Sequence, residues 1–247
     1  MLASDIVLEK SYEVKYYEQN LKNELKESSL LNFLQDAATV SAENLGFGPT
    51  FVFSNNFAWF VLKYHIELSE PVKNTEKILI KTEPRGAHRL YAYRDFGIYL
   101  PGGKKIGSAS SLWTLIDTTA KKMLPMEKAL PDMFKYEKRD SDLDFSKIPP
   151  VENVQFEKEF EVRFDDVDVN RHANNANYIV WALESLPNDF RKQNFASSIE
   201  IKYRKEVTMG KKILSQSEIT PENESIHVIK ETGEELCTVK FSWSEYR

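Results

Sequence analysis

The feature that most constrains this chain is that it repeats itself. Phe160-Glu161-Val162-Arg163-Phe164 has the form of Tyr12-Glu13-Val14-Lys15-Tyr16. The same offset, without a gap, lays Tyr178, Ile179, Trp181 and Ala182 on Leu30, Leu31, Phe33 and Leu34. After a small change of length, Lys212-Ile213-Leu214 answers Lys77-Ile78-Leu79, and Trp243 falls near Trp113. Two copies of one structural unit are the simplest account of such self-similarity.

The unit can be read from its periodicities. Residues 11–18 alternate apolar with polar side chains, as a half-buried strand does. In 28–45, Leu30, Leu31, Leu34, Ala37, Ala38 and Ala42 recur at helical spacing, and Gly46 offers a stop. Residues 57–68, 77–84, 90–100 and 104–115 read as strands, the last two flanking the hairpin signal Pro101-Gly102-Gly103. The second copy restarts at 160–164, begins a helix near Ala176, and continues through strands at 197–203, 211–219, 225–230 and 235–244. A sheet that must bury a long apolar helix predicts an α+β fold with the helix on one sheet face. The charged stretch 133–154, with Pro149-Pro150 near its end, reads as a linker between units 1–132 and 155–247.

Composition narrows the function classes. At 247 residues with 41% hydrophobic side chains, the chain can bury a core without metal or disulfide staples. A formal net charge of -5 argues against nucleic acid as a bulk partner. The single cysteine, Cys237, fits a reducing compartment, and no signal peptide or apolar run near membrane-spanning length is visible. The expectation is a cytoplasmic protein.

The chemistry concentrates in 164–187, FDDVDVNRHANNANYIVWALESLP. Asp168, Asn170 and His172 alternate, so an extended segment would point them the same way. Asn174 or Asn175 can cap the helix that follows, and its N-terminus would offer free N–H groups to a developing oxyanion. A polar loop with a cap and a surface histidine is the bland alternative. At the repeat offset His172 falls on Glu24, Asp168 on Asn20 and Asn170 on Lys22, so the acid–imidazole set belongs to the second copy alone. Glu206, opposite Pro71, is likewise particular to that copy. No HExxH, calcium loop or GxSxG accompanies these residues, so neither a metal nor a cofactor is expected. Cys237 reads as a small buried hydrophobe, His65, His88 and His227 as structural, and Trp59 and Trp113 as core.

DVDVNRHANNANYIVWALES followed by IEIKYRKEVTMG resembles the active-site region of the acyl-acyl carrier protein thioesterases of plants and bacteria. LLNFLQDAA, FAWFVLKYHIEL and SASSLWTLID resemble the family's N-terminal half, so the likeness runs from about Ser11 to Trp243. It implies a tandem hotdog fold and hydrolysis of fatty acyl thioesters in fatty acid biosynthesis, with acyl carrier protein as partner. It places Asp168, Asn170, His172 and Glu206 at the catalytic positions. On their chemistry, Glu206 is expected as base or nucleophile, with His172 sharing proton transfer and oriented by Asp168. The resemblance puts the acyl chain along Leu30, Leu34 and Trp59, with Asn174 and Asn175 at the substrate. Plant members carry cysteine directly after the glutamate. Here Val207 stands there, which favours water attack over a thiolate nucleophile. Arg204, Lys205 and Lys211 are candidates for docking the acidic carrier, and a homodimer is compatible. An acyl-CoA thioesterase, a 3-hydroxyacyl dehydratase and a non-catalytic acyl-binding module are the competing readings.

Overall fold

The computed structural model describes residues 6–73, 77–130 and 142–246. The first half runs β1 (Leu8–Glu13), α1 (Glu27–Asn44), α2 (Pro49–Ser54), β2 (Phe57–Leu68), β3 (Lys77–His88), β4 (Tyr91–Tyr99), β5 (Lys105–Asp117), β6 (Lys122–Met123) and α3 (Met126–Ala129). The second runs β7 (Phe156–Glu161), α4 (Asn175–Leu183), α5 (Asn188–Gln193), β8 (Asn194–Tyr203), β9 (Lys212–Ile219), β10 (Glu224–Glu231) and β11 (Glu234–Glu245). Residues 142–154 have no helix or strand, and the rest of the expected linker lies outside the described residues.

Among the described residues the strands form one antiparallel sheet in the order β1-β3-β4-β5-β2-β8-β11-β10-β9-β7, with β6 on β5. The order is palindromic. Each half presents the same five strands, and the halves meet where β2 pairs with β8, from Lys63 opposite Lys202 to Glu67 opposite Ser198. Register breaks between Val61 and Lys63 and between Ser242 and Trp243 supply the bulges that let each half curve.

Each half curls around its helix. Leu31, Leu34 and Ala37 on α1 and Ile179 and Ala182 on α4 have no exposed surface. They join one core with Ile66, Ile80 and Ile98 of the first half and Ile199, Val239 and Phe241 of the second. A second cluster, including Ala42, Phe47 and Leu115, sits beneath α2 with Trp59 packed against it. A curved sheet wrapped around a central helix, twice over, is the tandem hotdog.

One predicted strand ends early. Residues 11–18 were expected to be extended throughout, but Tyr16–Glu18 form a turn of 3-10 helix. Glu18 Oε2 accepts the Lys15 N–H at 2.7 Å, which closes the chain on itself. The second copy does the same at Phe164–Asp166, where Asp166 Oδ2 accepts the Arg163 N–H at 2.8 Å. Local side-chain acceptors of this kind compete directly with a strand ladder.

Candidate active site

The loop from Asp166 to Asn175 is not extended, and the alternation of Asp168, Asn170 and His172 does not set their directions. The Asp168 N–H donates to His172 O at 2.9 Å and the Arg171 N–H to Asp168 O at 2.9 Å, with Arg171 at φ 66. The result is a tight turn closed by a bridge between Val167 and Ala173. Asp168 Oδ1 accepts the Asn170 N–H at 2.8 Å, fixing the turn. Asn170 stands exposed near the tip, and its side chain has no hydrogen-bond partner among the described residues.

Asp166 holds this turn in place, though nothing in its sequence context marks it out from Asp165. Its side chain is 2% exposed and ion-paired with Arg163, whose guanidinium helps hold the carboxyl below its usual range despite burial. Its backbone oxygen accepts both the Asn174 N–H and Asn177 Nδ2 at 2.8 Å. Asn174 is then placed as the N-cap of α4, its Oδ1 accepting the Ala176 N–H at 2.8 Å.

Glu206 arrives from the segment after β8. The Ala173 N–H donates to Val207 O at 2.9 Å, laying that segment beside the turn. Tyr178 Oη donates to Lys205 O and Tyr203 Oη to Asn175 O, tying helix and strand around it. The outcome is a carboxylate–imidazole pair, with Glu206 Oε2 3.1 Å from His172 Nδ1 and side-chain exposures of 45% and 36%. Among the described residues Glu206, not Asp168, is the carboxylate within ion-pair distance of His172. Burial raises the Glu206 pKa, the His172 charge opposes the rise, and the Asp168 carboxylate adds to it.

The first copy carries the same loop without the chemistry. The Asn20 N–H donates to Glu24 O, the Asn23 N–H to Asn20 O, and the Leu25 N–H to Val72 O, with Asn23 at φ 57. These bonds match those of Asp168, Arg171 and Ala173 one for one. Yet Glu24 stands where His172 does, bound to Lys73 at 3.0 Å and to Tyr246 Oη at 2.7 Å, and Pro71 stands for Glu206. The duplicated backbone is a scaffold, and at this loop the carboxylate–imidazole pair belongs to the second copy.

A cleft of about 420 Å³ opens beside the pair. The first half lines it with Phe60, Leu62, Ile116 and Met123, and the second with His172, Glu206 and Val207 among others. Leu30 and Leu34 are instead buried in the core, and Trp59 donates its indole N–H to Phe47 O at 2.8 Å. None of these three lines the cleft. Asn175 turns away to the first half, its Nδ2 donating to Gln35 Oε1 on α1 at 2.8 Å. Gln35 was not visible as a site neighbour, because only the packing of α1 on α4 brings it there.

Arg204, Lys205 and Lys211 each face a glutamate of the β10–β11 hairpin: Glu235 at 3.0 Å, Glu234, and Glu231 at 2.9 Å. Cys237 is fully buried, and its thiol pKa is pushed well up by burial. Among the described residues no cluster of three or more metal-ligating side chains occurs, and no helix is long and apolar enough to cross a membrane.

An acid–imidazole pair on one loop of a duplicated hotdog, beside a cleft lined by both copies with apolar side chains from the first, indicates the class of protein. The particular family follows from comparison. Residues 5–134 match the acyl-ACP thioesterase N-terminal domain and residues 150–245 the acyl-ACP thioesterase C-terminal domain, and the chain belongs to this family. It is 23% identical over 262 residues to the acyl-[acyl-carrier-protein] hydrolase FATB2, chloroplastic, of Cuphea viscosissima, covering 96% of this chain. The chain spans 63% of that relative's length. In fold it is similar to an acyl-ACP thioesterase from Bacteroides thetaiotaomicron, with a TM-score of 0.90 and 23% identity, over 99% of this chain and 100% of the other. It is similar in the same way to the 12:0-ACP thioesterase from Umbellularia californica, with a TM-score of 0.85 and 18% identity, over 97% and 94% of the two chains.

Proposed function

We propose that this protein hydrolyses fatty acyl thioesters carried on acyl carrier protein, releasing the free fatty acid and the carrier thiol. The observation that carries the reading is the Glu206–His172 pair, 3.1 Å apart beside a cleft with an apolar first-half wall, and carried on this loop by the second copy alone. An acyl-binding module needs the cleft but has no use for the pair.

In this reading Glu206 and His172 act as a unit on a water molecule at the thioester carbonyl. With Nδ1–H held by Glu206, the other imidazole nitrogen is the base that takes the water proton. Oxygen bonds to the acyl carbon, the carbon–sulfur bond breaks, and the proton passes from His172 to the departing thiolate. The raised pKa of Glu206 brings its basicity closer to that of the imidazole. The start of α4 and the unpartnered Asn170 amide supply donors to the carbonyl oxygen as it gains charge. Asp168 acts through the turn it closes and through its charge on Glu206, which makes it a positioning residue. Val207 in place of a thiol leaves the carboxylate–imidazole pair as the group that activates the nucleophile.

The acyl chain enters between Phe60, Leu62, Ile116 and Met123, and domains 1–132 and 155–247 divide acyl binding from chemistry. Thiol release from acyl-ACP, acyl-CoA and 3-hydroxyacyl-ACP, measured side by side, tests the reading. Preferential release from acyl-ACP, lost in folded Asp168→Ala, His172→Ala and Glu206→Ala proteins, is expected. An enoyl product would select the dehydratase, preference for acyl-CoA the other thioesterase, and binding without turnover the module.

A further inference from the structure

The seam between the two halves has a charge arrangement that packing does not explain. Lys63 of β2 lies directly opposite Lys202 of β8 in the antiparallel register. Like charges facing across a ladder destabilise a sheet, so this pairing is retained at a cost in stability. Neither lysine has a carboxylate partner among the described residues, whereas Glu235 is engaged by Arg204 at 3.0 Å and Glu200 by Lys240 at 2.8 Å. Lys63 Nζ sits 5.7 Å over the ring of Phe145, part of the segment that crosses the seam. That segment is fastened there by His65 Nδ1 donating to Asp144 O at 2.6 Å, three residues before Lys147, whose charge acts on Lys202. Burial lowers the Lys202 pKa, and the cations of Arg204, Lys63 and Lys147 lower it further, with Glu235 opposing. Three separate parts of the chain therefore converge positive charge on one place. It adjoins the active site, because Arg204 is only two residues beyond Lys202 and lines the cleft.

We infer that the seam patch of Lys63, Lys202 and Lys147 is the docking surface for the acidic face of the carrier protein, seated so that its thioester arm passes Arg204 into the cleft. The inference rests on the reading that the thioester arrives on a carrier protein. It differs from the docking site suggested by sequence, since Lys205 and Lys211 are already matched by glutamates. A patch spanning the seam, its two facing lysines without an ion-pair partner among the described residues, also requires both halves, so a carrier seated there registers the relative placement of the acyl cleft and the His172 turn.

The test uses the full chain and two measurements: fluorescence anisotropy of labelled holo acyl carrier protein, and thiol release from acyl-ACP and from an acyl-N-acetylcysteamine thioester. Lys202→Glu and Lys63→Glu should each weaken carrier binding and raise KM for acyl-ACP by at least about tenfold, flattening the dependence on salt. Turnover of the carrier-free thioester should stay at the wild-type level. Lys147→Glu, an exposed change outside any strand, should move binding in the same direction and guards against misfolding of the seam variants. Lys192→Glu makes the same change in net charge on α5, at the opposite end of β8 from Lys202, and should leave binding unaltered. Unchanged binding in the three patch variants, or equal weakening by Lys192→Glu, would overturn the inference. A wild-type protein that binds carrier at the patch but cleaves neither thioester would remove the proposed reaction and leave the docking surface standing.

Discussion

At the scale of single residues, the site is a set of assignments made by partners. Glu206 is half exposed, yet burial and the Asp168 charge raise its pKa, so the folded state holds its proton more tightly than the unfolded chain does. Stability from such a group is full below the ordinary glutamate pKa and is lost as pH rises through the folded pKa. Activity runs the other way, because the reaction needs the ionised form. The acid limb of the kcat/KM profile should therefore lie above the ordinary glutamate range, and the Glu206 carboxyl titration followed by NMR should move further up when His172 is replaced by Gln; a titration at the usual glutamate pKa would remove burial as the cause. Asp166 makes the complementary case. Asp166→Ala deletes a buried acceptor of backbone and guanidinium N–H groups and should cost about 1.5–3 kcal/mol, read from urea unfolding, with activity falling because the turn loosens. An unchanged unfolding midpoint would deny it that role. The sequence showed Asp168, Asn170, His172 and Glu206 because their types are unusual together. It hid Asp166 and Gln35, whose importance is entirely in what they touch.

At the scale of elements, helices and inner strands were legible because apolar spacing follows burial, and burial here is one-sided. The predicted helix at 28–45 and the observed Glu27–Asn44 differ only at the ends. The connections were not legible. The turn that carries His172 departs from the extended segment that would align Asp168, Asn170 and His172, because its shape comes from Asp168 Oδ1, Asp166 O and the positive φ of Arg171, not from side-chain periodicity. Strand β10 carries a second consequence of packing. His227 is fully buried, with Nε2 2.9 Å from Ser225 Oγ, and burial depresses its pKa to about 3. Since the unfolded chain binds that proton near pH 6.5, stability from neutral His227 is present above that value and is lost as pH falls toward 3. Unfolding free energy should drop by about 1.4 kcal/mol per pH unit on this account alone, and His227→Gln should flatten the slope in a pH series of denaturant midpoints. Equal slopes in the two proteins would place the acid sensitivity elsewhere.

At the scale of the whole molecule, duplication explains the architecture and its asymmetry together. Two copies provide the β2–β8 seam, a continuous core and two equivalent loops, and one loop then carries the titratable pair while the other is closed by Glu24, Lys73 and Tyr246. The repeat was visible in the sequence, and so was the loss of the acid–imidazole set from the first copy. What the sequence could not show was which first-half residues border the cleft, because a strand exposes one face to the core and the other to the site. Leu34 sits in the core with no exposed surface, whereas Leu62 lines the cleft. Leu34→Ala should accordingly cost about 2–5 kcal/mol of stability. Leu62→Ala should lengthen the released acyl chains at little cost in stability, as seen in the fatty acid profile of expressing cells. A profile moved by Leu34→Ala alone would relocate the acyl chain into the core side of the sheet.

The central claim is that one carboxylate–imidazole pair, placed by a duplicated loop, drives thioester hydrolysis. Thiol release from acyl-ACP by Glu206→Gln tests it most directly, because glutamine keeps the shape and removes the charge. Turnover should fall by roughly 10²–10⁴, while the denaturation midpoint at neutral pH is no lower than that of the wild type. A folded Glu206→Gln protein that releases thiol at the wild-type rate would contradict the account.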